Sequence, residues 1–237
     1  MSAQRTAGQS PIAAGTLALV GGGEWNEGCT GFDQELLASS GGTEVVVIPA
    51  AAAYEYPDKV VERAVAYFAA LGATVRPLMV LNRRDAQDEQ MVDVVAASRF
   101  VYLADGSPMH LRSVLKGSAL VDALFKVCGA GGVVAASGAG ATVLCDPMVD
   151  PRGGAYTVGL GMVENLAVFP YHGTAAAHLL DRSVELLPAT ATLVGIEDQT
   201  ALVHAPDGTW TVKGVGSVSV YRGGEPEIVL SGSSLTL

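Results

Sequence analysis

Residues 133 to 147, VVAASGAGATVLCDP, are the part of this sequence best suited to covalent chemistry. An apolar run ends at Ser137, small residues follow, and a helix-like segment begins, which is the pattern of a nucleophile elbow. The tip of that turn falls on Gly138, one residue after the serine. The pattern predicts a sharp strand-to-helix turn whose following N–H, that of Ala139, faces a developing oxyanion. A plain glycine-rich turn without chemistry would read the same way.

A serine nucleophile needs a base, and the base needs an orienting acid. His172 lies at the end of a predicted strand and is therefore the candidate base, whereas His178 lies within an amphipathic helix and is expected to pack or face solvent. Acids in the turn-rich segment after the elbow, among them Asp150, are candidates to orient the histidine.

Two other loops follow predicted strands. GGGEW at 21–25 matches neither a dinucleotide fingerprint nor a P-loop, so Gly22 and Gly23 are expected to turn the chain tightly beside a cleft. In ADGS at 104–107, Asp105 or Ser107 can cap the next helix, and the N–H groups of Gly106 and Ser107 can also bind a carboxylate or an oxyanion.

The elements that must position these loops alternate along the chain. Strands are predicted at 16–24, 44–51, 73–80, 99–107, 131–137 and 165–172, and helices at 56–72, 85–98, 108–131 (with a break at Gly117) and 174–188. Period-two runs at 192–224 predict antiparallel strands. This alternation predicts a three-layer α/β sandwich with a mainly parallel sheet, in which ligands bind at the carboxyl ends of the strands.

The composition limits the partners, cofactors and cellular compartment that are expected for this protein. The 237 residues are 49% hydrophobic with a net charge of -10, which disfavours nucleic acid and anionic membranes as partners. Three cysteines without paired spacing indicate a cytoplasmic protein, and the four histidines form no metal-binding pattern, so neither a metal nor a cofactor is predicted. We expect a flexible tail at 1–14, no signal peptide or membrane span, and a single domain at 15–237.

The order of these segments resembles the cyanophycinase and aspartyl dipeptidase (dipeptidase E) family of serine peptidases. The resemblance rests on GTLALVGGGE, VVVIPAA, the SGAGA elbow, a strand ending in histidine and GIEDQTALV at 195–203, and it covers about residues 15–222. It implies a class I glutamine-amidotransferase-like fold and Ser-His-acid cleavage of a peptide or isopeptide bond next to aspartate. It also implies a small peptide or amide substrate and a monomer or homodimer.

The resemblance places the family's nucleophile on Gly138, which has no side chain, and places Ser137 one residue early. It implies His172 as the base and Asp150, the only carboxylate at 150–156, as the orienting acid. The arginine-rich segment with which cyanophycinases read polymeric aspartate is absent; only Arg182 lies near His172 in the sequence.

Two hypotheses therefore stand. The first is a serine hydrolase that uses Ser137, His172 and Asp150, with oxyanion donors in the ADGS loop and at Ala139. The second is a catalytically inactive relative that keeps the cleft as a ligand-binding or regulatory protein. Amidotransferase chemistry would need a cysteine at the elbow, and Cys145 is predicted to be buried packing instead.

Overall fold

The computed structural model describes residues 12–237. Most of the predicted tail at 1–14 lies outside these residues. Of its last three residues, Ile12 packs into the core with 4% of its surface exposed. None of the helices between residues 12 and 237 combines the length and the apolar character needed to cross a bilayer.

The strands of residues 12–237 are numbered in chain order: β1 Thr16–Val20, β2 Glu44–Ile48, β3 Thr74–Pro77, β4 Phe100–Leu103, β5 Val133–Ser137, β6 Cys145–Asp146, β7 Met148–Val149, β8 Tyr156–Thr157, β9 Val163–Glu164, β10 Leu166–Phe169, β11 Thr192–Ile196, β12 Thr200–His204, β13 Trp210–Gly214, β14 Ser217–Tyr221, β15 Glu227–Leu230 and β16 Ser234–Leu235. The α-helices are α1 Thr30–Ser40, α2 Pro57–Ala70, α3 Glu89–Ala96, α4 Pro108–Leu115, α5 Ala119–Gly129, α6 Ala139–Leu144 and α7 Ala177–Glu185. Short 3-10 helices occupy Glu27–Cys29, Ala50–Ala52 and Asp85–Gln87.

The main sheet has eight strands in the order β16-β13-β12-β1-β5-β4-β2-β3. Strands β1 to β5 run parallel, and β12, β13 and β16 extend the sheet antiparallel from β1. Helices α1 and α2 pack on one face, while α3 to α6 pack on the other. The predicted three-layer sandwich with a mainly parallel sheet and antiparallel strands towards its C-terminal end is confirmed.

Alternation along each strand divides the core between the two faces. In β5, Val133 and Ala135 pack with the α1–α2 side, whereas Val134 and Ala136 pack with the opposite side. Both faces of the sheet are covered, which explains why a strand such as β2, EVVVI, is apolar without interruption. The same alternation directs the side chain of Ser137, the residue after Ala136, to the face that carries α1 and α2.

A second sheet has the order β10-β11-β14-β15. The sequence analysis assigned the histidine-ending strand at 165–172 to the same mainly parallel sheet as the other strands, but β10 pairs in parallel with β11 in this second sheet. The reason is that β12 of the C-terminal segment pairs with β1 and closes that side of the main sheet. The loop after β10 still reaches the end of β1, because the N–H of Tyr171 donates to the carbonyl of Gly21 over 2.7 Å.

Two local features test the sequence patterns. The break at Gly117 is confirmed: this residue has φ 66°, and Ser118 accepts from the N–H of Val121 to cap α5. Helix α1 was not predicted. Gly28 lies just before the helix, Gly31 lies in its first turn and two serines end it, so its local helix propensity is weak and tertiary packing supports it.

Candidate functional site

The elbow is built at the end of β5. Gly138 has φ 46° and ψ -101°, a conformation that favours glycine, and α6 begins at the next residue. Ser137 belongs to the strand and shares the face of Val133 and Ala135. Its side chain is fully buried, and its Oγ donates to Oε2 of Glu24 over 3.0 Å. The tip of the turn is thus Gly138, and the serine hydroxyl is directed to the face that carries α1 and α2.

The carboxylate of Asp105 lies directly against the elbow. Oδ1 of Asp105 accepts from the N–H of Gly106 over 2.7 Å and from the N–H of Ala139 over 2.8 Å. We call these two N–H groups the oxyanion site, because they are among the donors that the sequence predicted for a developing oxyanion. Oδ2 of the same carboxylate accepts a short hydrogen bond from the hydroxyl of Tyr171.

The remaining residue predicted as an oxyanion donor, Ser107, has other partners. Its N–H donates to the carbonyl of Ala51 over 2.8 Å, and its Oγ accepts from the N–H of His110. Ser107 is therefore the N-cap of α4, with Pro108 as the first helical residue. The capping role considered from the sequence is confirmed for this serine.

The space above Gly138 is filled. A Cβ at this position would lie 2.2 Å from Oδ1 of Asp105 and 2.4 Å from the hydroxyl of Tyr171. Such distances are far shorter than any van der Waals contact, so the elbow has no room for a nucleophile side chain as it stands.

Tyr171 is held between the elbow and the loop after β1. Its φ is 53°, and a Cβ at Gly22 would lie 2.5 Å from its ring. Gly22 is therefore required for this close approach, while Gly23 has φ 62° and its carbonyl accepts from the side chain of Asn26. Burial, followed by the charge of Asp105, raises the pKa of the Tyr171 phenol well above its usual value. The phenol is accordingly a neutral donor to the carboxylate.

His172 contacts the second sheet. Its Nε2 lies 3.0 Å from the hydroxyl of Tyr221, and a Cβ at Gly195 would lie 2.3 Å from its ring. Burial lowers the pKa of His172, partly offset by the charge of Glu197. The imidazole is thus half-buried beside β11 and β14, and the preceding residue, Tyr171, is the one that faces the elbow.

Asp150 lies in the turn-rich segment after the elbow. Its carboxylate accepts from the side chain and the N–H of Arg152, and these hydrogen bonds lower its pKa. Across residues 12–237, no hydrogen bond joins any two of Ser137, His172 and Asp150. This arrangement differs from the expected triad.

The family model of peptidase family S51 matches residues 17–211, most of the chain. The chain belongs to peptidase family S51. The resemblance to cyanophycinase and dipeptidase E, and the class I glutamine-amidotransferase-like fold that it implied, are thereby confirmed. The family supports a peptidase-type hydrolase as the class of this protein.

Solved structures agree with the assignment to S51. A peptidase from an acI-B1 Actinobacterium is 26% identical with a TM-score of 0.86, over 96% of this chain and 99% of that chain. A candidate peptidase E from Listeria monocytogenes EGD-e is 16% identical with a TM-score of 0.62, over 91% of this chain and 98% of that chain, and this likeness concerns the fold. No match was found among curated proteins.

Glu24 is a residue of this S51 cleft that the sequence analysis did not single out. It is 5% exposed and lies behind the elbow. Its Oε1 lies 3.6 Å from the guanidinium of Arg63, and its Oε2 accepts the hydrogen bond from the hydroxyl of Ser137. Burial raises its pKa, with the charge of Asp105 as a further cause. Glu24 and Tyr171 both belong to strand-end loops that the sequence pointed to, which was the available signal for them.

Backbone strain is concentrated around the same S51 cleft. Among the non-glycine residues of 12–237 with positive φ, four follow strands whose ends meet here, namely Trp25, Tyr56, Tyr171 and Gln199; Asn165 is the fifth. Such conformations cost free energy and persist where the surrounding structure enforces them, often at functional sites. The strain marks this end of the sheet as the candidate functional site.

We expect Tyr171→Phe to lower the free energy of unfolding by about 2 kcal/mol, because a hydrogen bond to a charged acceptor is lost. Urea denaturation measures this change. Tyr54→Phe is the matched control, since Tyr54 is 85% exposed and its substitution should be nearly neutral. Equal effects of the two substitutions would show that the contact between Tyr171 and Asp105 does not stabilise the site.

Proposed function

We propose that this S51 member is a catalytically inactive relative that keeps the peptidase cleft and binds a small peptide or amide ligand there. The observation that carries the proposal is the position of Asp105, whose carboxylate accepts from both N–H groups of the oxyanion site.

The first requirement is a nucleophile. Gly138 has none, and Asp105 and Tyr171 occupy the space that its Cβ would need. The nearest hydroxyl, that of Ser137, is fully buried and donates to Glu24. Using Ser137 as a nucleophile would require that hydroxyl to leave a buried carboxylate and turn to the opposite side of the strand.

The second requirement is an oxyanion site that is free to bind the reacting oxygen. Donors act when they lie about 2.7–3.1 Å from the position of the developing oxyanion. In this protein the N–H groups of Gly106 and Ala139 already have Asp105 as their acceptor at such distances. A substrate carbonyl would have to displace a charged acceptor that is part of the same chain.

The third requirement is a base beside the nucleophile. His172 has its Nε2 on Tyr221, and the side chain that faces the elbow is Tyr171. Because the pKa of Tyr171 is raised, its phenol holds its proton and does not accept one from a nucleophile. This arrangement meets none of the three requirements, which favours the inactive relative over the hydrolase.

Ligand binding is the function that the retained cleft supports. The loop after β2 borders the oxyanion site, since a Cβ at Gly106 would lie 2.5 Å from the backbone of Ala51. That loop exposes Tyr54 and Tyr56, which are 85% and 75% exposed. Aromatic side chains of this kind offer a large contact area to a peptide at low entropic cost. The strained backbone of Tyr56 is a further sign that the loop conformation is enforced.

Labelling with a fluorophosphonate serine-hydrolase probe, followed by mass spectrometry of the elbow peptide, tests the loss of catalysis. We expect no label on the native protein and no hydrolysis of aspartyl dipeptides. Ser137→Ala is the matched variant, and an unrelated active serine hydrolase verifies the probe. Label on Ser137 that disappears in Ser137→Ala, together with dipeptide turnover, would establish the alternative function, a serine hydrolase.

Ligand binding is tested separately by titrating the protein with aspartyl dipeptides while amide NMR signals are recorded. We expect saturable shifts for residues of 50–56 and 104–107, and weaker binding when Tyr54 and Tyr56 are both replaced by alanine. Shifts that are absent, or that are unaffected by this double substitution, would argue against the cleft as a peptide-binding site.

A further inference from the structure

Three buried polar side chains lie together behind the elbow, on the face of the main sheet that carries α1 and α2. Trp25, Asp33 and Tyr102 are 7%, 0% and 0% exposed. Nε1 of Trp25, Oδ1 of Asp33 and the hydroxyl of Tyr102 each lack a hydrogen-bond partner among residues 12–237. A buried polar atom without a partner costs free energy, so each such atom in a native protein calls for an explanation.

The three side chains belong to one packed group. The rings of Trp25 and Tyr102 have their centroids 5.2 Å apart. Asp33 joins this group through Tyr67, whose ring packs on Phe68, and Phe68 in turn packs on Tyr102. Burial raises the pKa of the Tyr102 phenol well above its usual value, and the charges of Asp33 and then Glu24 raise it further. Oδ2 of Asp33 accepts from the hydroxyl of Tyr67 over 2.9 Å, which leaves Oδ1 as its unpartnered atom.

The chemistry of these atoms limits what can join them. An indole N–H only donates, a carboxyl oxygen accepts when ionised and can also donate when protonated, and a phenol hydroxyl does either. A metal ion would be repelled by the indole N–H, and an apolar group would leave all three atoms unsatisfied. A water molecule accepts from one partner and donates to another, and buried waters typically make about three hydrogen bonds.

We infer that this protein holds an internal water molecule that bridges Nε1 of Trp25, Oδ1 of Asp33 and the hydroxyl of Tyr102. The water joins the loop after β1, helix α1 and strand β4. Strand β4 leads directly into Asp105, and the residue before Trp25 is Glu24, the partner of Ser137. On the face of the sheet that carries α1 and α2, the water therefore holds in place the two loops that carry the carboxyl groups of Glu24 and Asp105. The inference does not rest on the proposed function, since an active hydrolase would hold the water equally well.

A crystal structure of the native protein at high resolution tests the inference directly. We expect a water peak within about 2.7–3.2 Å of at least two of the three atoms. Well-ordered density around these side chains without such a peak would overturn the inference. The result is independent of any labelling or peptide-binding experiment.

Tyr102→Phe provides a second test in solution. If the hydroxyl binds the water, its removal should lower the melting temperature by roughly 2–4 °C, because one hydrogen bond to the buried water is lost. If the hydroxyl is a buried group without any partner, its removal should leave the melting temperature unchanged or raise it. The latter outcome would also overturn the inference. Tyr54→Phe, at an exposed site, measures the effect of removing a solvated hydroxyl.

Discussion

Gly138→Ser alone will lower the free energy of unfolding by about 3 kcal/mol and will not produce a peptidase. The new Cβ would lie 2.2 Å from Oδ1 of Asp105 and 2.4 Å from the hydroxyl of Tyr171, so both side chains must move. Overpacking of this kind costs about 1–3 kcal/mol, and loss of hydrogen bonds to a charged acceptor adds a similar amount. The φ of 46° adds strain for any residue with a Cβ. Chemical denaturation and an aspartyl-dipeptide assay measure the two parts of this prediction.

Gly153→Ser is the matched control. A Cβ at Gly153 meets no atom within 4 Å, and the residue lies outside the left-handed region, so its substitution should change stability by less than about 0.5 kcal/mol. The Asp105→Gly background supplies the complementary test. Gly138→Ser should cost roughly 2 kcal/mol less in that background, because the main obstacle is gone. Additive effects of the two substitutions, or peptidase activity in Gly138→Ser alone, would contradict the crowded elbow.

The native protein should lose stability relative to Asp33→Asn as the pH rises from about 4 to 7. Burial raises the pKa of Asp33 from 3.8 to about 7, partly opposed by the hydrogen bond from Tyr67. The folded state therefore prefers the neutral acid: its advantage is complete below the unfolded pKa and is lost as the pH rises through the folded pKa. The difference between the two proteins should change by on the order of 4 kcal/mol across this window. Urea denaturation at a series of pH values measures it.

Comparison with Asp33→Asn isolates this carboxyl. The other groups that face it, Glu24, Cys29, Tyr67 and Tyr102, are present in both proteins, so the difference measures the titration of Asp33 together with its coupling to these groups. Asp93→Asn, at an exposed site on α3, is the control and should run parallel to the native curve. A constant difference between native protein and Asp33→Asn from pH 4 to 7 would show that burial does not raise the pKa of Asp33.

Periodicity and turn chemistry were sufficient to predict the layers, the parallel sheet and the elbow. Each depends on neighbours in the chain: apolar runs form strands covered on both faces, and small residues around Gly138 permit a tight turn. The break at Gly117 was predictable for the same reason. Helix α1 was not, because its few buried side chains are supported by tertiary contacts and not by a strong local pattern.

The contacts of the site depend on partners that are distant in sequence. Asp105 meets Tyr171 across 66 positions, and Ser137 meets Glu24 across 113. A capping acid and a carboxylate at an oxyanion site look identical in the sequence of the ADGS loop. The difference between Tyr171 and His172 is a single residue of register after β10, and one residue is enough to direct a side chain elsewhere. That register depended on the second sheet, which the sequence pattern did not reveal.

The pairing of Asp105 with the oxyanion site also bears on evolutionary reversibility. For a chain that descends from an ancestor with serine at position 138, the reverse codon change alone returns a side chain to a space that is now occupied. Its cost of about 3 kcal/mol is a large share of the 5–15 kcal/mol that stabilises an ordinary domain. Recovery of the ancestral chemistry would need coordinated changes at Gly138, Asp105 and Tyr171, each of little value without the others. The carboxylate of Asp105 thus makes a change from serine to glycine at position 138 difficult to reverse by a single substitution.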